Sequence, residues 1–489
     1  MILKNTALLA FTLFFVCTIA VFADEKISRT NVLFIIVDDL TTTLSCYGDR
    51  DAQTPHMDAL AARGVRFDRA YTQFSLCNPT RAAFLTGCYP ERTHVYDLTT
   101  SFRKALPEAV TLPQLFKNAG YTAGRIGKVF HVSDDAWTKL DVQIGAPLTK
   151  DQAILEEAKL AQASEGDLSD PPHETNKTRK KSAKNGEEAD KSYNRCYAAS
   201  KRPASDFTDY QIADEAITAL ESFKNKPFFL AVGFIRPHTP SVAPQAFFDL
   251  IDPVKIAMPA FYQSGGENPA AIPKAALRPN NNIFRYQAPS VSEAREARRA
   301  YLATTAFVDS QIGRLLAKLA ELKLDTNTVV VLTGDHGYQL GEHGLWAKQT
   351  LFEEGTHVPL IVVAPGVKPG VCTGLVEQVD IYPTLAGFAG LLIPKQVQGR
   401  TLQPLLTAPS AQGKTAVFST MVSTHTKLIG HSIRTERYRY IEWDEGRGGR
   451  QLYDHASDPH ELNNLVDQPS QAERINDLRN QLVKHLSEV

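Results

Sequence analysis

A chain of 489 residues with 43% hydrophobic and 22% charged side chains has the make-up of a folded globular protein, which excludes a fibre or a disordered tail. Its net charge of -1 excludes a global attraction to nucleic acid, so an anionic substrate has to be held by local charge. At the N-terminus Met1-Ile2-Leu3-Lys4 is a basic start, residues 7–22 are apolar, and Val21-Phe22-Ala23 precedes Asp24-Glu25-Lys26. That order predicts a signal peptide over residues 1–23 cleaved after Ala23, and hence export to a periplasm, the medium or a lysosome-like lumen, with no membrane attachment afterwards. The apolar run is short for a bilayer span. Five cysteines remain, Cys46, Cys77, Cys88, Cys196 and Cys372. An odd number in an exported chain marks one thiol as special, and the spacings match neither a zinc site nor a dense disulfide framework.

Residues 31–37, NVLFIIV, and 328–332, TVVVL, are apolar β-branched runs that read as buried parallel strands. The first ends at Asp38-Asp39 and the second leads into Thr333-Gly334-Asp335-His336. Residues 227–234 and 358–363 are further strand candidates, and 300–322 repeats its apolar residues at three and four, as a helix does. Strands alternating with helices predict an α/β sheet with helices on both faces. In such sheets ligands bind beyond the carboxyl ends of the strands, where both acidic motifs fall.

Residues 150–201 are rich in Lys, Glu, Asp, Ser and Asn and read as a charged, solvated, partly mobile insertion. Acids interleaved with its bases argue against a nucleic-acid tail, and Asn176-Lys177-Thr178 matches a glycosylation acceptor. Beyond about residue 410 short alternating stretches, such as 432–443 and 452–454, and a helix over about 470–487 predict a smaller α+β subdomain. The boundaries are therefore 24–410 for the large domain and 411–489 for the C-terminal subdomain.

Asp38, Asp39 and Asp335, brought to one sheet edge, would repel one another unless a cation sat among them. Hard carboxylate oxygens suit calcium or magnesium. Around the odd thiol the chain reads Cys77-Asn78-Pro79-Thr80-Arg81, a Cys-x-Pro-x-Arg pattern. Lys128 and His131 are three apart, which sets them on one side of a turn or helix.

The Cys77 segment resembles the modification signature of type I sulfatases. The resemblance runs through VDDL at 37–40, TPHMDAL at 54–60, LPQLFKNAGY at 112–121, GKVFH at 127–131, RPHTP at 236–240, TGDHG at 333–337, GEHGLWAK at 341–348 and HVPLIV at 357–362. GKVFH, the Pro-His-x-Pro segment, DHG and Trp-Ala-Lys make it most similar to the iduronate-2-sulfatase branch. The resemblance implies an alkaline-phosphatase-like α/β sandwich with a large mixed, mostly parallel sheet. It also implies that Cys77 is converted to formylglycine by a formylglycine-generating enzyme. The hydrated aldehyde would supply the attacking hydroxyl, and re-forming the aldehyde would expel sulfate.

Carried over position by position, one divalent cation, calcium in the family, would be held by Asp38, Asp39, Asp335 and His336 with modified Cys77 facing it. Imidazole suits softer metals, so His336 is a less usual calcium partner. Asp335 would activate the hydrate and Arg81 would orient it. Lys128 would bind sulfate and His131 would assist the collapse. His238 would protonate the leaving alcohol, while Lys348 would touch both the sulfate and a sugar carboxylate. The implied substrate is a sulfated oligo- or polysaccharide carrying a uronate 2-O-sulfate. The alternatives are a phosphomonoester, phosphodiester or phosphonate hydrolase of the same superfamily, and an inactive sulfated-glycan-binding protein.

Overall fold

The computed structural model describes residues 29–131, 142–144, 196–263, 272–278, 283–284 and 289–489. The signal segment 1–23, the glycosylation acceptor and residues 150–195 of the charged stretch lie outside the described residues. The end of that stretch differs from expectation. Tyr197–Ser200 is a short strand paired with Ser241–Pro244, because Ala198 is buried against Val242 and Phe248.

The main sheet contains β1 (Asn31–Val37), β2 (Val65–Tyr71), β3 (Thr122–Gly127), β4 (Val142–Ile144), β5 (Phe228–Phe234), β6 (Thr328–Gly334), β7 (His357–Val363) and β8 (Gly370–Glu377), in the order β8-β2-β7-β6-β1-β5-β3-β4. All neighbours are parallel except β7, which runs antiparallel to β2 and β6. A fully apolar run such as VPLIVV is the same in either direction, so its sense is set by its connection and not by its own residues.

Side chains alternate across the sheet, and β1 shows how both faces are filled. Val32, Phe34 and Ile36 enter one apolar layer with Phe84, Leu85, Leu112 and Phe116. Leu33, Ile35 and Val37 enter the other with Ile212, Leu220, Ile312 and Leu315. The first layer is closed in part by α1 (Cys77–Thr86), the second by α2 (Thr208–Phe223) and α3 (Val291–Glu321). Helix α3 begins earlier than its apolar periodicity suggests, because Ser290 and Glu293 form a capping box at its start.

The C-terminal part is an antiparallel sheet of β9 (Ala416–Val422), β10 (Ile429–Thr435), β11 (Tyr438–Trp443) and β12 (Arg450–Asp454), with α4 (Ala472–Glu488) packed on it through Ile475, Leu478 and Leu482. Among the described residues no helix is long and apolar enough to cross a membrane, and Cys46, Cys77, Cys88 and Cys372 are in no disulfide.

Candidate active site

Strand register brings the distant motifs together. Val37 pairs with both Phe234 and Gly334, and Gly127 pairs with Gly233, so β1, β6, β5 and β3 end side by side. Asp38-Asp39, Asp335-His336 and Lys128 are the next residues out, and His238 follows on the loop after Phe234. The turn at Lys128 needs a glycine before it. Gly127 has φ of 71°, and a Cβ there would stand 2.1 Å from Gly233 O. Asp39, with φ of 62°, bends back so that its amide donates to Asp335 Oδ1 at 2.9 Å.

Cys77 opens α1, all ten residues of which are buried. Its sulfur lies 3.0 Å from Lys348 Nζ, 3.3 Å from His336 Nε2 and 4.0 Å from Asp39 Oδ1. Burial, with Asp38 and Asp335 adding to it and Lys128 and Lys348 opposing it, pushes the thiol up to about 12. In the protein alone the thiol therefore stays protonated at neutral pH, and a protonated thiol is a poor nucleophile.

Arg81, one turn further along α1, donates from Nη2 to Asp38 Oδ1 at 2.9 Å and from Nε to Asp335 Oδ2 at 3.1 Å, and it also reaches the carbonyls of Lys128 and Val129. Its hydrogen bonds thus go to the carboxylates beneath the nucleophile position and not to Cys77. Lys128 Nζ pairs with Asp38, and Lys348 Nζ donates to Asp39 Oδ1 at 2.7 Å. Burial pushes Asp38 up, yet Lys128, His238 and Arg81 together hold it well below the usual carboxylate range. For Asp335 burial prevails, with Asp38 adding to it, and its pKa is raised despite His336 and Arg81. Lys348 is only 4% exposed and its ammonium lies against Cys77.

The donor set fits a divalent cation. Ligating atoms of Asp38, Asp39, Cys77 and His238 lie within 4.8 Å of one another, as do those of Cys77, Asp335 and His336. His336 Nδ1 sits 2.9 Å from Gly337 O, so that nitrogen carries the hydrogen and Nε2 presents its lone pair toward Asp39 and Cys77. Asp38, Asp39, Asp335 and His336 would hold the ion, which would polarise a sulfate oxygen and screen the carboxylates. Two ammoniums, Lys128 and Lys348, could neutralise a bound anion here, and Asp335 could accept a proton from a hydroxyl at the Cys77 position.

His238 Nε2 stands 4.0 Å from both Asp38 and Asp39, with Nδ1 donating to Thr239 O at 2.6 Å. Burial and then Lys348 depress it to about 4, so in the protein alone it is neutral; a bound sulfate anion shifts it toward the protonated form that a proton donor needs. His131, lowered to about 4 by burial and Lys128, is half-buried, and its Nδ1 has no hydrogen-bond partner among the described residues.

Two supporting residues have contacts that no motif announces, although Thr80 itself lies within the Cys77 to Arg81 pattern. Tyr301 of α3 donates its hydroxyl to Asp39 O at 2.8 Å and accepts from Thr41 N at 2.9 Å, which fixes the bend after β1. Thr80 donates to Asp335 O at 3.0 Å and meets Gln378 at 3.1 Å.

A family model described as Sulfatase matches residues 30–391. The chain belongs to the sulfatase family. It is a sulfuric ester hydrolase, and sulfatases generally work with formylglycine and a divalent metal. A second model, N-sulphoglucosamine sulphohydrolase C-terminal, matches residues 341–488 of this sulfatase. Its relatives include iduronate 2-sulfatase of Homo sapiens, 30% identical with 86% of each chain covered. A sulfatase of Formosa agariphila is 32% identical, covering 92% of this chain and 87% of its own. Choline-sulfatase of Rhizobium meliloti is 28% identical, covering 90% and 83%. Among solved structures, a phosphonate monoester hydrolase from Silicibacter pomeroyi superposes with TM-score 0.74 at 24% identity, covering 94% of this chain and 96% of that one. A 2-O GAG sulfatase superposes with TM-score 0.68 at 24% identity, covering 94% and 92%. These two structural likenesses establish the alkaline-phosphatase-like fold.

Proposed function

We propose that this sulfatase is exported, is matured by a formylglycine-generating enzyme that oxidises Cys77, binds calcium, and removes the 2-O-sulfate of a uronate in sulfated oligo- or polysaccharides. The observation that carries the maturation is the setting of Cys77. Lys348, His336 and Asp39 all meet its sulfur, at the first residue of a fully buried helix that opens the Cys-x-Pro-x-Arg pattern. A hydroxyl at that position would be flanked by Asp335 as base and by two lysines for the sulfate. Three carboxylates with one imidazole suit calcium as a hard ion better than a thiophilic one.

Support for the uronate comes from GKVFH, Pro-His-x-Pro and Trp-Ala-Lys348, and from the likeness to mammalian iduronate 2-sulfatases. The N-terminal basic, apolar and small-residue order supports export. A panel of sulfated disaccharides tests the substrate. Turnover of a uronate 2-O-sulfate at least about tenfold faster in kcat/KM than a glucosamine 6-O- or N-sulfate is the expected result. Equal or faster turnover of either glucosamine sulfate would overturn the uronate assignment while leaving sulfate-ester hydrolysis intact.

A further inference from the structure

The loop that carries Lys348 has a backbone its residues do not favour. Ala347 and Gln349, on either side of the lysine, both have φ of 71°, the left-handed region that glycine prefers. Such a conformation persists only where the surroundings fix it. On the nucleophile side Gln349 N donates to Ser75 O at 2.9 Å, two residues before Cys77, and Arg278 donates to Lys348 O at 3.0 Å. On the other side the hold comes from the C-terminal sheet. Arg439 of β11, 1% exposed, donates from Nη1 to Leu351 O at 3.1 Å and to Ser432 Oγ at 3.0 Å. Its Nη2 pairs with Glu353, and its Nε lies 2.6 Å from Glu461. Glu461 returns to the same loop by accepting from Glu353 N at 2.8 Å, while Tyr71 donates to Glu353 at 2.6 Å.

We propose that Arg439 is a positioning residue for sulfate-ester hydrolysis: from the C-terminal sheet it locks the segment from Ala347 to Glu353 and so holds the Lys348 ammonium 3.0 Å from Cys77. A guanidinium suits the task because one planar fork meets a carbonyl, a hydroxyl and two carboxylates at once, which an ammonium does not. The sheet beyond β8 is thereby part of the catalytic apparatus. The inference rests on the family's reaction and not on which sugar is cleaved.

The test is a double-mutant cycle on the matured full-length protein. It is read as kcat/KM on whichever sulfated disaccharide is cleaved fastest, and as the Kd of inorganic sulfate by calorimetry. Arg439→Met is expected to lower kcat/KM about 10- to 100-fold with Lys348 present and less than about twofold in a Lys348→Ala background, with Arg439→Lys in between. Arg439→Lys covers the case in which Arg439→Met does not fold. It keeps the buried charge and loses the fork, so melting should stay near wild type while kcat/KM falls and sulfate binds more weakly with Lys348 present. Equal losses from Arg439→Met in both backgrounds overturn the proposal, as does an Arg439→Lys enzyme with wild-type kcat/KM and sulfate affinity.

Discussion

Replacing Arg81 by methionine probes the electrostatic frame of the site. The guanidinium is 1% exposed and is shared between Asp38 at 2.9 Å and Asp335 at 3.0 Å, both fully buried, with the carbonyls of Lys128 and Val129 as further acceptors. Removing one partner of a buried ion pair costs about 3–5 kcal/mol, because the remaining charge has lost its solvent and its counterion together. Methionine fills the space and recovers part of that loss by apolar contact. Lys128 still compensates Asp38, which leaves Asp335 the more exposed to the change. The net expectation is a loss of about 4 kcal/mol in metal-free protein. Arg81→Lys should recover about half, since one ammonium cannot bridge both acids in the fork geometry. Urea unfolding in chelator, followed by circular dichroism and by fluorescence of the buried Trp346 and Trp443, measures the difference. A loss below about 1 kcal/mol for Arg81→Met would mean that the carboxylates are solvated and would refute the reasoning.

Two further outcomes follow from the same contacts. Chelation should abolish sulfate release and lower the melting temperature, and calcium should restore both better than zinc, because the donors are mostly carboxylate oxygens; restoration by zinc alone would refute that. His485 lies flat on Phe418, ring centroids 3.7 Å apart, and burial depresses it to about 4. Its unfolded pKa is about 6.5, so protonation favours the unfolded chain below that value. Its contribution is complete above pH 6.5 and is lost as pH falls toward 4, by at most about 3 kcal/mol. His485→Phe should flatten the wild-type decline over that interval in urea titrations at several pH values. Parallel declines in the two proteins would refute the assignment.

The part of the site legible in the sequence is the part fixed by strand ends. NVLFIIV running into Asp38 and TVVVL running toward Asp335 identify themselves by hydrophobicity. Two parallel strands in register bring their next residues together without any further information. Lys128 follows the same logic through the Gly127–Gly233 pairing, whereas His238 stands on the loop beyond Phe234 and is placed by that loop. The antiparallel sense of β7 was not legible, because an apolar run carries no direction. The start of α3 was legible in principle, since Ser290 and Glu293 have capping-box spacing, but charged residues over 292–299 hide the apolar periodicity. Tyr301 on Asp39, Thr80 on Asp335 and Arg439 on Leu351 are contacts across 262, 255 and 88 positions, and nothing local in their sequence announces them. Like Cys77, Cys46, Cys88 and Cys372 are in no disulfide, so the odd cysteine count singled out Cys77 only with the help of its motif.

Mass spectrometry of the peptide containing Cys77, paired with sulfate release by the same preparation, tests the central claim most directly. Protein from a host that has the maturing enzyme should show Cys77 as an aldehyde, its sulfur replaced by oxygen with two hydrogens fewer, with turnover rising in proportion to the converted fraction and absent from Cys77→Ala. Full turnover by protein whose Cys77 remains entirely a thiol would contradict the account.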